Sequence, residues 1–363
     1  MAQSPAPIRY DPSVETRGEK EAETVEGLKS ALHDIMETTS EDYGHAVRGV
    51  HAKSHGILEG TLEVMSGLAP EYAQGLFAAP GRYPVTLRIS TNPGDLIDDS
   101  ISLPRGLAMK VIGVEGERLP GSEGDATQDF IMVNGPVFAA PDAESFLSNL
   151  KLLAKTTDRA EWAKRGISAV FRGVEKLVEA VGGESTTLKT MGGAPNVHPL
   201  GETYYSQTPY RFGDYVAKFS LAPVSDHLSQ IEGTIVDTSE GDNPIRRAVD
   251  RTAREGEAEY EFRVQLCRDL DTMPVEDPTV EWSEEASPYV TVARLRLPAQ
   301  AAWSDEKAEK VDEAMRFSPW TGLAAHRPLG SVNRARRQAY EMSADFRSKV
   351  NGCPIHEPKR GAA

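Results

Sequence analysis

The feature that most restricts the fold of this chain is a set of short segments in which apolar and polar residues alternate. The first, YPVTLRIST, covers residues 83–91. Because successive side chains of a strand point to opposite faces, Leu87 and Ile89 share an apolar face. Arg88 and Ser90 lie on the opposite face. The other segments that predict strands in this way are 105–114, 214–224, 258–266 and 288–297.

Helical patterns interrupt the strands and occupy both ends of the chain. Residues 19–38 place Val25, Leu28 and Leu32 at helical spacing, with an acidic outer face. Further helices are predicted over 142–156, near 160–181 and from about Val332 to Val350. Strands and helices do not alternate regularly, and no glycine-rich phosphate-binding motif follows a strand. The pattern therefore predicts an antiparallel α+β protein rather than a doubly wound one.

The composition argues against several functional classes. Lys and Arg number 40 and Asp and Glu number 55, so the net charge of −15 argues against binding to nucleic acid or an anionic membrane. No apolar run approaches the ~18 residues of a membrane span, and the first residues lack the apolar core of a signal peptide. With only Cys267 and Cys353, no disulfide framework is expected. These features predict a cytoplasmic protein without stable membrane insertion.

The last predicted helix carries a tyrosine and two arginines on one face. Arg336 precedes Tyr340 by four residues and Arg347 follows it by seven, so the three side chains share one stripe. One interpretation is an exposed basic helix whose tyrosine packs at the edge of the core. The other is that Tyr340 is an anionic metal ligand, because a nearby guanidinium and the metal's own charge both stabilise a phenolate.

A histidine lies in a strand-like segment near the start of the predicted strands. The segment RGVHAKSHG, residues 48–56, places His51 three residues after Arg48. His51 and His55 cannot bind one ion from an extended strand, because four residues of strand span about 13 Å. A lone strand histidine is either structural or a general acid–base. Ser90 either belongs to a solvated face or orients a histidine through the ring nitrogen that takes no part in the chemistry.

These segments, in this order, resemble the haem catalase family, and in particular its short catalase-like members. R-x-x-V-H-A-K, with Arg48, Val50 and His51, resembles the strand of the distal histidine. R-I-S-T at 88–91 resembles the strand that supplies a propionate-binding arginine and a serine bonded to that histidine. P-R-G-L-A-M-K at 104–110 is similar to the turn and strand that follow in the family.

The final helix extends this resemblance. R-R-Q-A-Y, with Arg347 seven residues beyond Tyr340, resembles the family's proximal helix. The resemblance implies an eight-stranded antiparallel β-barrel with helical insertions, and haem b held between the barrel and the C-terminal proximal helix. The implied organisation is an N-terminal arm and helix over 1–44, a haem-binding core over 45–350 and a short tail over 351–363.

The resemblance also implies a role for each matched residue. Tyr340 is the axial iron ligand, as in catalase, and Arg336 is the cation that keeps it ionised. His51 takes a proton from peroxide and returns it to the departing oxygen, and Ser90 fixes the tautomer of its ring. The residues implied to contact the haem or its two propionates are Arg48, Val50, Arg88 and Arg347.

One part of the family pattern is not matched. The family places an asparagine in the distal pocket, in a segment that TQDFIMVNGPVF resembles. At the offset implied by Pro136 stand Ala126 and Thr127, so the neighbouring Gln128 is predicted to supply the catalytic amide. Only sixteen residues follow Arg347, so the C-terminal domains of the long members are not expected. This leaves nicotinamide binding and a homo-oligomeric state open.

The function that the resemblance implies is decomposition of hydrogen peroxide, with peroxidase activity toward organic reductants. One alternative is a haem peroxidase for organic substrates, or an enzyme that rearranges fatty-acid hydroperoxides. Catalase-like allene oxide synthases share the proximal helix but tend to carry threonine before the distal histidine, where this chain has Val50. A second alternative is a non-catalytic haem-binding protein. The combination of His51, Arg48 and Ser90 disfavours it, because a carrier needs no acid–base group.

Overall fold

The strands of the computed structural model form one sheet that closes on itself. The structure describes residues 5–157, 196–239 and 241–358. The strands are β1 Ser54–Val64, β2 Arg82–Thr91, β3 Arg105–Ile112, β4 Thr127–Val133, β5 Tyr204–Tyr205, β6 Tyr210–Phe212, β7 Tyr215–Pro223, β8 Ala258–Leu266 and β9 Val290–Leu297. The order β5-β4-β3-β2-β1-β9-β8-β7 closes because β5 also pairs with β7, and β6 forms a hairpin with β7. The predicted eight-stranded antiparallel barrel is confirmed.

Helices cover one side of this barrel. The longer helices of the described residues are α1 Glu21–Tyr43, α2 Ala143–Thr157, α3 Pro244–Glu255 and α4 Ser331–Asn351. Short helical turns occur at Pro12–Val14, Gly75–Phe77, Pro199–Gly201, Asp226–Ser229, Asp305–Lys307, Ala308–Glu313 and Ala324–His326. Helices α1, α2 and α4 share one hydrophobic cluster, to which Leu28, Leu147 and Ala339 belong. None of the described helices is both long enough and apolar enough to span a bilayer.

Where a helix or strand is predicted, its bounds agree with the structure to within a few residues, apart from the end of α1 and the start of β1, and several elements are not predicted. Helix α1 continues to Tyr43, beyond the predicted end at 38. Helix α3 was not predicted, because its twelve residues include four arginines and only a narrow buried face. Strand β1 begins at Ser54, beyond most of the strand-like segment 48–56. The sequence pattern does not predict β4, because it begins with polar residues that are nevertheless buried. It does not predict β5 or β6 either, since they are only two and three residues long. The helix predicted near 160–181 lies outside the described residues.

Aromatic rings fill the interior of the barrel. Phe262 stacks on Phe77 with 5.2 Å between ring centroids, and the ring of Phe130 lies 4.7 Å from that of Phe262. The opposite face of β2, which carries Arg88 and Ser90, is buried as well. Helices cover this outward face of β2. Of the two interpretations of Ser90, the solvated face is therefore excluded.

His326 is an imidazole inside the aromatic core. It is 0% exposed, and its Nε2 accepts a hydrogen bond from the backbone N–H of Leu76 at 2.9 Å. Burial, aided by the charge of Arg211, lowers the pKa of His326 to about 3. The unfolded chain therefore binds a proton here below about pH 6.5 that the folded protein does not bind. The contribution of His326 to the free energy of unfolding is therefore fully present above about pH 6.5. It decreases as the pH falls from there toward 3.

We expect the His326→Gln variant to lose this part of the acid sensitivity. Between about pH 6 and pH 4, the free energy of unfolding of the unmodified protein should fall by up to about 1.4 kcal/mol per pH unit more steeply than that of the variant. Urea unfolding at stepped pH measures both slopes. Carboxylates titrate alike in the two proteins, so equal slopes would contradict a neutral, buried His326.

Candidate functional site

A large cavity lies between the outer face of the barrel and helices α1, α2 and α4. About 150 Å³ of it can hold the centres of water molecules, and its free space is about 1220 Å³ when its open mouth is included. The predicted site residues that line it are Arg48, Val50, His51, Arg88, Ser90, Arg336, Tyr340 and Arg347. Residues from both ends of the chain therefore meet at one site, and Gln128 is the predicted site residue that does not line it.

His51 lies in the loop that leads into β1, and not in a strand as predicted. Its φ of 55° is in the left-handed region, where a residue with a side chain is strained. Its backbone N–H donates to the carbonyl of Asn92 at 2.7 Å, and its Nδ1 lies 3.2 Å from Ser90 Oγ. Gly106 on β3 leaves room for the ring, because a Cβ there would collide with Nδ1 and Cε1 of His51. The loop, two strands and one glycine thus fix the imidazole.

The imidazole of His51 is neutral over the physiological pH range. Burial lowers the pKa of His51 to about 3. The positive charges of Arg88, Arg336 and Arg48 act in the same direction. When Nδ1 carries the proton and donates it to Ser90 Oγ, Nε2 has a free lone pair. The ring is then an acceptor for a proton from a substrate.

Three arginines converge on the segment 308–315 at the cavity. Arg48 donates through Nη2 to three backbone carbonyls of this segment at distances between 2.8 and 3.1 Å. Arg347 donates through Nη1 to two of its carbonyls at 2.8 and 3.1 Å. Arg88 donates from Nε to the carboxylate of Asp312 at 2.5 Å. The three guanidinium groups are thus held close together by this segment, but most of their acceptors in it are uncharged backbone carbonyls.

The cluster of Arg48, Arg88 and Arg347 therefore holds an excess of positive charge. Asp312 is its one carboxylate ion-pair partner within the described residues. There, Nε of Arg48 and Nε of Arg347 are buried without a hydrogen-bond partner. Burial and the neighbouring arginines lower the pKa of Arg347 to about 10 and that of Arg48 well below its ordinary value. Unused buried donors and crowded like charges indicate a site for an anion.

Arg336 and Tyr340 lie one turn apart on α4 in the wall of the cavity. Arg336 Nη1 donates to Asn333 Oδ1 at 3.2 Å, and its guanidinium lies 5.5 Å from the ring centre of Phe138. These contacts hold the guanidinium beside the cavity. The spacing on the helix brings a phenol and a fixed cation to the same wall, as the sequence predicts.

Gln128 points away from the cavity, so the amide predicted for the site is not there. It shares a face of β4 with Phe130, which belongs to the barrel core. Its Oε1 accepts the backbone N–H of Leu323 at 2.8 Å, and its Nε2 donates to the carbonyl of Asp129 at 3.0 Å. Strand alternation turns this side chain inward, and both ends of its amide are already used.

Other residues line the cavity whose place in the site is only weakly indicated by the sequence. The cavity wall also includes Leu28, Leu32, Asn92, Gly106, Phe138 and Phe146. The helical pattern of α1 shows that Leu28 and Leu32 are buried but not what they face. Gly106 lies in the segment 104–110, whose only signal is its resemblance to the turn and strand of the catalase family. Asp312 lies in a helical turn with no local motif, so no signal in the sequence identifies it as a partner for Arg88.

The barrel and its helices resemble solved catalase structures. The crystal structure of a fungal catalase superposes with a TM-score of 0.59 and 16% identity, covering 88% of this chain and 62% of that one. For catalase A from Saccharomyces cerevisiae the TM-score is 0.58 and the identity 17%, with 86% and 63% covered. This chain thus spans less than two thirds of either protein. No family model and no curated protein matches its sequence. At these identities the likeness establishes a catalase-like fold alone.

Proposed function

We propose that this chain binds haem b in the cavity and decomposes hydrogen peroxide, with oxidation of organic reductants as a second activity. One observation supports the proposal most strongly. His51 with its partner Ser90, and Tyr340 with Arg336 one helical turn away, line the same cavity beside the arginine cluster. A neutral acid–base group, a metal-ligand candidate and a site for anions together suit haem peroxide chemistry.

The residues of the cavity fit haem. Two propionates would supply the negative charge that the arginine cluster lacks, and they would accept from the unpartnered Nε atoms of Arg48 and Arg347. Tyr340 would supply the phenolate oxygen that binds the iron, and Arg336 would stabilise the negative charge of that phenolate. Bound haem supplies the iron that exchanges electrons with the oxygen atoms of peroxide. The neighbouring apolar side chains suit the faces of a porphyrin.

His51 would handle the proton of the reaction. Its Nε2 takes the proton from one peroxide oxygen and delivers it to the other, which leaves as water. The low pKa of His51 means that the ring holds this proton only briefly and returns it readily. Ser90 would keep the ring in the tautomer that exposes Nε2. Over a full cycle two molecules of hydrogen peroxide give two of water and one of dioxygen.

A second candidate, a peroxidase for organic hydroperoxides, is favoured by the apolar wall of the cavity. The side chains that form it include Leu28, Leu32, Phe138 and Phe146. No amide from β4 reaches the cavity to contact a small polar peroxide. An apolar hydroperoxide would gain more from such a wall than hydrogen peroxide does.

One experiment separates these functions. Haem-loaded protein is given hydrogen peroxide with and without a phenolic reductant, and cumene hydroperoxide in a parallel run. Rapid dioxygen release from hydrogen peroxide is the expected result. Slow dioxygen release with faster consumption of cumene hydroperoxide would overturn the catalase proposal in favour of the second candidate. No consumption of either peroxide would overturn both.

A further inference from the structure

A second, smaller cavity lies on the outside of the barrel, separate from the site described above. Its walls are formed by Pro136, Tyr205, Lys218, Gln265, Glu281, Trp282, Glu284 and Tyr289. Its free space is about 240 Å³ with its mouth included, but only about 10 Å³ of it can hold the centre of a water molecule. This is about the minimum for one water and far below the size of a site for a small organic molecule. The cavity has room for one water or one ion of similar size and not for an organic cofactor.

Lys218 brings a buried ammonium group to this cavity without a counterion. It lies on the outward face of β7, between Ala217 and Phe219 of the barrel core, and is 2% exposed. Within the described residues it forms no ion pair, and its hydrogen bond from Nζ to the carbonyl of Val280 is 3.3 Å long. An ammonium has three protons to donate, and besides this hydrogen bond Nζ lies over the ring of Trp282, 4.8 Å from its centre, in a cation–π contact. A buried charge in this state is strongly unfavourable unless a partner is supplied.

Trp282 presents a second unused donor. The residue is 2% exposed, and its Nε1 is buried without a partner among the described residues. The indole N–H can only donate. Gln265 donates to the carbonyls of Trp282 and Ser287 at 3.0 and 2.9 Å, which fixes the segment that closes the cavity over the strands. Lys218 and Trp282 both line the cavity, and the ammonium lies 4.8 Å from the centre of the indole ring, so the two donors are close together.

The other ionisable groups around Lys218 restrict the charge of a ligand. Glu281 and Glu284 are exposed at the cavity and form no ion pair with Nζ, so they disfavour multiply charged anions. Burial raises the pKa of Tyr205 and of Tyr289, and both phenols stay neutral. Burial also lowers the pKa of Lys218 to about 7, against the opposing charges of Glu281, Cys267 and Asp277. The neighbouring negative charges are therefore too weak to keep Lys218 fully protonated at neutral pH.

We propose that this cavity binds a small monovalent anion of halide size, held by the ammonium of Lys218 and the indole N–H of Trp282. The anion completes the hydrogen bonding of both donors and neutralises the buried charge. The site depends on neither haem nor peroxide chemistry. A failure of the proposed function would therefore leave this proposal unaffected, and the reverse also holds.

Bromide is the probe. The full-length protein is crystallised with sodium bromide, and anomalous diffraction locates the ion. In solution, the thermal midpoint is followed during bromide titration at constant ionic strength, with gluconate as the balancing anion because it is too large for the cavity. We expect an anomalous peak within hydrogen-bonding distance of Lys218 Nζ and Trp282 Nε1, and a midpoint that rises with bromide.

Variants of the two donors and the pH dependence of bromide binding test whether these donors hold the anion. Lys218→Met and Trp282→Phe should weaken bromide binding at least tenfold, whereas Lys151→Met, at an exposed lysine on α2, should leave it unchanged. The apparent dissociation constant should rise about tenfold per pH unit above about pH 7, because the anion binds the protonated amine. Water alone in the cavity at saturating bromide would overturn the proposal. Equal bromide dependence in Trp282→Phe and the unmodified protein would do so as well, even if Lys218→Met failed to fold.

Discussion

Tyr340→Phe is expected to purify with at least tenfold less haem than the unmodified protein. The phenol oxygen of Tyr340 is the proposed ligand, and its neighbour on α4, Arg336, cannot replace it because a guanidinium does not bind a metal cation. The arginine cluster would still attract propionates, so weak and non-stoichiometric haem is expected rather than none. The ratio of haem to protein, from the absorbance of the pyridine complex, measures the effect.

Tyr83→Phe is the matched control for this change. Tyr83 lies on β2, packs against the barrel core and does not line the cavity. Its variant should keep the full haem content, and circular dichroism should show that both variants fold. An unchanged haem content in Tyr340→Phe would contradict the ligand role proposed for this residue.

His51→Asn is expected to keep its haem and to react with hydrogen peroxide about 10²–10⁴-fold more slowly. Asparagine tolerates the left-handed backbone conformation that His51 adopts, so the loop before β1 should persist. It cannot accept and return a proton. Stopped-flow absorbance, in the first milliseconds after mixing with peroxide, measures the rate.

His356→Gln controls for loss of an imidazole elsewhere. His356 is exposed in the segment after α4, and it does not line the cavity. Its variant should react at the unmodified rate. A full rate in His51→Asn would remove His51 from the proposed proton transfer, whereas slow reaction in both variants would point to a general loss of structure.

The fold could be predicted from the sequence where apolar and polar residues alternate along a strand. They alternate in β2 and β8, although the outward face of β2 is buried as well. Strand β4 escapes this pattern, because polar and apolar residues occur on both of its faces and its outward Asp129 forms an ion pair with Lys110 at 2.7 Å. The two partners are far apart in the sequence, and no local pattern shows that they meet.

The candidate site could be predicted in part, for a related reason. The helical spacing of Arg336, Tyr340 and Arg347 holds in α4, and all three line the cavity. The contact between His51 and Ser90 is also present. The direction of the Gln128 side chain could not be predicted, because a shift of one residue along a strand reverses the face of a side chain, and only the pairing of β4 with β3 determines which face it has.

Titration of the haem-free chain with haemin shows whether the cavity binds haem through Tyr340. We expect a saturable change in the Soret absorbance with an endpoint of one haem per chain, and a ferric spectrum typical of tyrosinate ligation. The same endpoint should disappear in Tyr340→Phe and persist in Tyr83→Phe. A titration without an endpoint, or one with the same endpoint in Tyr340→Phe, would contradict a haem site formed by this cavity and α4.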